Sequence, residues 1–251
     1  MQITCERDGR QYTADLADPL SIAIRLDSDL TRQPNAFGAP PFEAWPVREG
    51  TFVGALAEGA AVNFFNVRIN PHGNGTHTEC VRHIRDIDTD IHTILRDTLM
   101  FAEVVSVFPE QGTDGSRRIT AQALDALTTA DCPGLIVRTL PNPEEKRSRH
   151  YTGSNPPFFS PEAIAWMNDR GVRHLLTDLP SVDPEEDGGA LKAHKLFWGV
   201  PENPQPDKTI TELIFVDNDI EDGVYLLNIQ IAPLALDVSP SRPLLFRMKP
   251  I

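Results

Sequence analysis

The chain has 251 residues, enough to bury a sizeable core and within the range of a single domain. Apolar residues make up 40% and charged residues 24%, the balance of a folded globular protein and not of a disordered chain. With 23 basic against 36 acidic side chains the net charge is −13, a field that repels phosphate backbones and anionic lipid, so neither nucleic acid nor membrane is an expected partner. Cys5, Cys80 and Cys132 are too scattered for a disulfide framework or a CxxC metal site and fit a reducing compartment. The opening MQITCERDGR lacks an apolar stretch behind a basic flank, and no run approaches the roughly 18 uninterrupted apolar residues of a spanning helix. A cytoplasmic location is therefore expected.

Strands are predicted over 62–69, 101–108, 135–139, 175–178, 210–216 and 224–231, each rich in Val, Ile, Leu or Phe. Helices are predicted over 120–128, over 190–198, closed by Gly199 and Pro201, and in SPEAIAWMNDRG. In the last of these Ser160 caps, Pro161 takes the first helical position and Gly171 lies just past the end. Strands outnumber helices, and neither a repeat nor a shift in composition marks a boundary. The expected architecture is one α/β domain over residues 1–251, with a mixed, largely antiparallel sheet and helices packed against it. The connector 141–159 is polar, proline-broken and longer than the roughly 12–15 residues beyond which loops are usually functional or disordered. It reads either as a lid or as a surface excursion. Tyr151, Phe158 and Phe159 make it a candidate for contact with a small-molecule substrate.

Three of the seven histidines fall within residues 72–83, HGNGTHTECVRH. Gly73 and Gly75 predict a tight, backbone-exposed turn here, not a helix, feeding an extended segment. In such a segment His77 and Glu79 share a face about 6.6 Å apart, close enough to lean onto one cation, and His72 is brought back by the turn as a third donor. Two nitrogens and a carboxylate suit zinc, or manganese if oxygen ligands or waters join, and leave an open position of the kind catalytic metals keep. A polar surface cluster without metal is the alternative from spacing alone. Asp86, Asp88 and Asp90 imitate a calcium loop, but Ile91 stands where its glycine belongs and Asp97 where its bidentate glutamate belongs. His92, His150 and His174 lack partners at useful spacing, and Cys80 reads as a small buried residue. No GxSxG, P-loop or GxGxxG motif is present, which leaves metal-assisted hydrolysis.

The segment GTHTECVRH, with His72 before it, resembles the H-x-G-T-H-x-D-x-P-x-H signature of the cyclase family, which includes kynurenine formamidases and isatin hydrolases. DLADPLS, SPEAIAWMNDRGVRHLLTDLPSVDP and PLALDVSPSRPLLF resemble further stretches of that family, in the same order along the chain. The chain departs from the signature in three ways: His72 lies five residues before His77 instead of four, Glu79 replaces aspartate, and Val81 replaces proline. The resemblance implies a swivelling β/β/α fold and a homodimer or homotetramer. It implies a first metal on His72, His77 and Glu79, a second shared by Glu79 with His194 and Glu212, and His83 as the acid/base. Strand alternation alone would let Glu212 face water. The implied activity is hydrolysis of an amide carbon–nitrogen bond, nearest to aryl formamides such as N-formylkynurenine. A cyclic amide or lactone hydrolase and a non-catalytic binding protein are the alternatives.

Overall fold

The computed structural model describes Met1–Ile251. Nine strands form the main sheet: β1 (Leu20–Ser21), β2 (His77–Cys80), β3 (Leu99–Val107), β4 (Gly134–Thr139), β5 (His174–Thr177), β6 (Thr209–Glu212), β7 (Gly223–Asn228), β8 (Val238–Pro240) and β9 (Leu244–Phe246). Their spatial order is β8-β2-β6-β5-β4-β3-β7-β9-β1. The four central strands run parallel, and every pairing outside them is antiparallel, five of the eight in all. Composition explains this arrangement. β4 and β5 are buried at every position, as strands covered on both faces must be.

The helices are α1 (Pro71–Asn74), α2 (Ile91–Ile94), α3 (Ala121–Leu127), α4 (Pro161–Asp169) and α5 (Lys192–Phe197). On one face of the sheet Val105, Leu135, Val137, Leu175 and Ile210 share a core with Leu124, Ile164, Met167, Phe197 and Trp198 of the helical segments. On the other face Ala102, Val104, Ile136 and Leu176 meet Ile22, Leu227 and Leu245. The predicted α4 signals are realised: the Ser160 hydroxyl accepts from Ala163 N, Pro161 follows it, and Gly171 takes the left-handed φ of 73° that ends the turn. Thr120 caps α3 in the same way. No helix is long and apolar enough to cross a membrane.

Three expectations change. The run predicted at 62–69 is not a core strand: only Phe65–Arg68 is extended, exposed at each position, and paired with Glu43–Pro46 in a two-stranded ribbon apart from the main sheet. The strand predicted over 210–216 stops at Glu212 because Leu213 turns to a φ of 53°, and Ile214 makes an isolated bridge to Ala23. The connector 141–159 is neither a loose excursion nor a free lid. Asn142, Lys146 and Tyr151 are buried, Lys146 Nζ donates to Asp178 at 2.7 Å, and backbone bonds tie Asn35 to Arg149 and Tyr151.

Candidate metal centre

β2 lies between β6 and β8 and is antiparallel to both, with His77 opposite Glu212 and Glu79 opposite Ile210. Alternation along β2 puts His77 and Glu79 on one face, where both are fully buried. His72 arrives from α1, and here the structure corrects the sequence reading. Residues 71–74 form a single helical turn with Pro71 first and the Asn70 side chain accepting from Gly73 N. Gly73 is buried, and its role is close approach: a Cβ there would sit 2.4 Å from Ala39 Cβ and 3.0 Å from Ala36 O. Gly75 then takes an extended φ of 168° into β2.

His194 comes from α5, whose preceding residue Leu191 offers no side-chain cap. Asp183 supplies the cap instead, accepting from Ala193 N at 2.7 Å and His194 N at 3.1 Å, and it also holds His194 Nδ1 at 2.6 Å. One carboxylate thus starts the helix and aims the imidazole. The free nitrogen of that ring, Nε2, lies 3.0 Å from Glu79 Oε1. Glu212 does not face water. It is 3% exposed, accepts from Val182 N at 3.0 Å, and places Oε2 3.4 Å from His77 Nε2 and Oε1 3.9 Å from His194 Nε2.

A fourth carboxylate bridges the open side. Asp237 Oδ2 accepts from His72 Nε2 at 3.0 Å and from His83 Nδ1 at 3.1 Å. The opposite nitrogens of those rings lie 3.3 Å (His72 Nδ1) and 3.8 Å (His83 Nε2) from Glu79 Oε2. Side chains of His72, His83 and Asp237 are 25–29% exposed, whereas those of His77, Glu79, His194 and Glu212 are at most 4% exposed. Solvent therefore reaches the cluster past His72, His83 and Asp237.

The electrostatics follow from these contacts. Burial disfavours the charged imidazoles, but hydrogen bonds and the charges of their carboxylate partners outweigh it, raising His72 and His194 to about 10. Burial likewise opposes the Glu79 carboxylate, and the imidazoles of His83, His194 and His72 overcome it and hold that group well below the usual range. Hydrogen bonds from His72 and His83 depress Asp237, and the His194 contact depresses Asp183.

Two of the seven buried side-chain atoms without a hydrogen-bond partner lie in this cluster. His77 Nδ1 faces Gly75 O at 2.8 Å and carries the proton there, so in the neutral ring Nε2 presents a lone pair to the cluster, unpartnered beside the unpartnered Glu79 Oε2. Buried polar atoms are seldom left in this state. A lone pair and a carboxylate oxygen converging in one place are the donor set of a divalent cation, and the ligand atoms of His72, His77 and Glu79 all lie within 4.8 Å of one another. Glu79, His83 and His194 form a second such group, and His72, His83 and Asp237 a third.

All six predicted metal and acid/base residues are brought together: His72, His77, Glu79, His83, His194 and Glu212. Of the predicted substrate contacts, Tyr151 and Phe159 are buried and Phe158 is half-buried. Phe159 is enclosed in the core, Phe158 lies under Arg118, and Tyr151 packs with Ala36 and Leu213. Sequence reasoning missed Asp183 and Asp237. Asp237 carried a signal, since it is the only acidic residue after position 222 and sits between Leu236 and Val238.

The Cyclase family model matches residues 15–184. Kynurenine formamidase of Bacillus cytotoxicus is 25% identical over 194 residues, which cover 75% of this chain and 82% of that protein. A solved structure described as a potential metal-dependent hydrolase with cyclase activity superposes with a TM-score of 0.66 at 16% identity, covering 93% of this chain and 99% of its own. Isatin hydrolase A from Labrenzia aggregata gives 0.65 at 16% identity, covering 92% and 94%. These likenesses establish the fold, and with a family match spanning well over half the sequence the chain belongs to the cyclase family.

Proposed function

We propose that this protein is a metal-dependent hydrolase of an amide carbon–nitrogen bond, with aryl formamides such as N-formylkynurenine as the nearest substrate class. The observation that carries the reading is the pair of buried, unpartnered atoms, His77 Nε2 and Glu79 Oε2, inside a ring of imidazoles and carboxylates. His72, His77 and Glu79 would hold one ion, zinc or manganese, and Glu79, His194 and Glu212 a second. When bound, such an ion polarises a carbonyl and lowers the pKa of a water from 15.7 toward about 7.

The residues of this chain do the rest. Asp237 fixes the Nδ1 proton of His83, leaving Nε2 free on the side of Glu79 and partly open to solvent. From there His83 takes a proton from the attacking water and returns it to the leaving nitrogen. Asp183 and Gly75 O fix the tautomers of His194 and His77. The reading carries with it a cytoplasmic setting, consistent with three unpaired cysteines, and a homodimer or homotetramer.

Metal analysis of protein purified without chelator, combined with a panel of formanilides, cyclic amides and lactones, tests the proposal. Bound zinc or manganese with formanilide turnover is the expected result, and metal with no turnover on any member identifies a binding protein instead. His83→Ala should retain its metal and lose about 10²–10⁴ in kcat/KM. Unchanged turnover in that variant removes His83 from the chemistry.

A further inference from the structure

A cavity of about 520 Å³ opens at the carboxyl ends of the central parallel strands, against Thr139 at the end of β4 and Asp178 just after β5. This is the edge of an open α/β sheet where ligands are usually received. None of its lining residues belongs to the histidine cluster. Five prolines stiffen its wall, and Phe108 and Leu140 add apolar surface.

Its charge is the unusual feature. In a protein with a net charge of −13, the cavity is lined by three cations, Arg117, Lys146 and Arg149, and by one carboxylate, Asp178. That carboxylate is fully engaged. Lys146 Nζ spends its three protons on Asp178 Oδ2, Thr139 O and Thr139 Oγ1 at 2.6–2.8 Å, and both Asp178 oxygens also accept from Thr139. The buried pair is therefore neutral and closed, and the two arginines remain. Neighbouring Arg118 and Arg147 are each matched to carboxylates, Arg118 to Asp114 and Arg147 to Glu144 and Asp217. Arg117 instead donates to a backbone carbonyl, Asn155 O at 2.7 Å, and Arg149 stands 5.8 Å from the Tyr151 ring. A further donor is only weakly engaged. The Tyr151 hydroxyl, in a side chain only 4% exposed, reaches Asp178 O at 3.5 Å, beyond the roughly 2.5–3.0 Å of an ordinary O–H···O bond.

We propose that this cavity is a binding site for a small organic anion. Its carboxylate is held by the Arg117 and Arg149 guanidiniums with Tyr151 Oη as a third donor, and its apolar body lies against Phe108, Leu140 and the prolines. Guanidinium forks suit a planar carboxylate, and the neutral Lys146–Asp178 pair forms a floor that does not repel it. The site is independent of the metal reading, since it uses none of the proposed ligands.

Benzoate is the probe, with benzamide as its uncharged isostere. Calorimetric titration is run on metal-loaded and on chelated protein, and crystals soaked in 4-iodobenzoate locate the iodine by anomalous scattering. A probe this small binds in roughly the millimolar range. The expected result is saturable benzoate binding that is equal with and without metal, at least about tenfold weaker in Arg117→Gln and in Arg149→Gln, and absent for benzamide. Iodine density should lie between the two arginines. Both arginines are partly exposed, so the variants should keep the parent melting temperature. Benzoate binding that needs the metal, iodine density at the histidines, unchanged affinity in both variants, or no saturation at roughly ten times that concentration would each overturn the proposal.

Discussion

A single oxygen atom, Oδ2 of Asp237, accepts hydrogen bonds from two imidazoles, His72 at 3.0 Å and His83 at 3.1 Å. Both rings thereby turn their other nitrogen toward Glu79. In the proposed chemistry His72 is a metal ligand and His83 a proton carrier, so one side chain orients two different functions. Asp237→Asn keeps the volume but loses the charge and one acceptor geometry. We expect its metal affinity to fall about 10–100-fold, the usual range for the partner of a ligating histidine. Turnover should fall more than the lost metal explains, because His83 is released as well. Competition with a chromophoric chelator measures the first, and kcat at saturating metal measures the second. Parent values for both would mean that the imidazoles hold their positions without Asp237.

The one-turn helix α1 shows how far the sequence was legible and where it stopped. The pairing of His77 with Glu79 could be read directly, because a two-residue period on a strand is fixed by backbone geometry. The cap and proline of α4 were equally local signals. Gly73 could not be read, because a glycine serving a turn and a glycine serving close approach look the same in sequence, and here the backbone of residues 36–39 comes in from a distant stretch. The ribbon at Phe65–Arg68 defeated the reading for the opposite reason: its composition suits a core strand, but tertiary placement leaves it exposed. The burial of Lys146 was not legible either, since a lysine in a polar connector gives no sign of its buried partner Asp178. Gly73→Ala is a direct check on the element. Helix propensity alone favours alanine by about 1 kcal/mol, whereas the 2.4 Å approach to Ala39 Cβ predicts a cost of about 1–3 kcal/mol. We expect the cost to win and His72 to move from Glu79. Urea denaturation reads the sign, and Ala39→Gly in the same chain should restore most of the loss.

At the scale of the whole molecule, the cluster joins residues drawn from 72–83, 183–194, 212 and 237, so a cation held there binds only the folded state and stabilises all of it. Protons compete for the same atoms, which makes the effect depend on pH. In chelated protein His72 and His194 are raised to about 10, so their contribution is complete below the unfolded histidine value of about 6.5 and is lost as pH rises toward 10. The depressed carboxyls of Glu79, Asp183 and Asp237 contribute above about pH 4 and are lost only under acid. Chelated protein should therefore be most stable between about pH 4.5 and 6.5 with respect to these groups and should weaken above that range. A cation must displace the imidazole protons, so its apparent affinity climbs about tenfold per pH unit for each proton released, until about pH 10. Each tenfold is about 1.4 kcal/mol of added stability, or about 3–5 °C in melting temperature for a chain of this size. Melting curves with and without manganese from pH 6 to 8.5 should thus diverge as pH rises, and proton uptake by two buffers of different ionisation heat should count the protons displaced. A gap that stays constant across that range would mean that the histidines are already neutral in the metal-free protein, and that the carboxylates around them set geometry without setting charge.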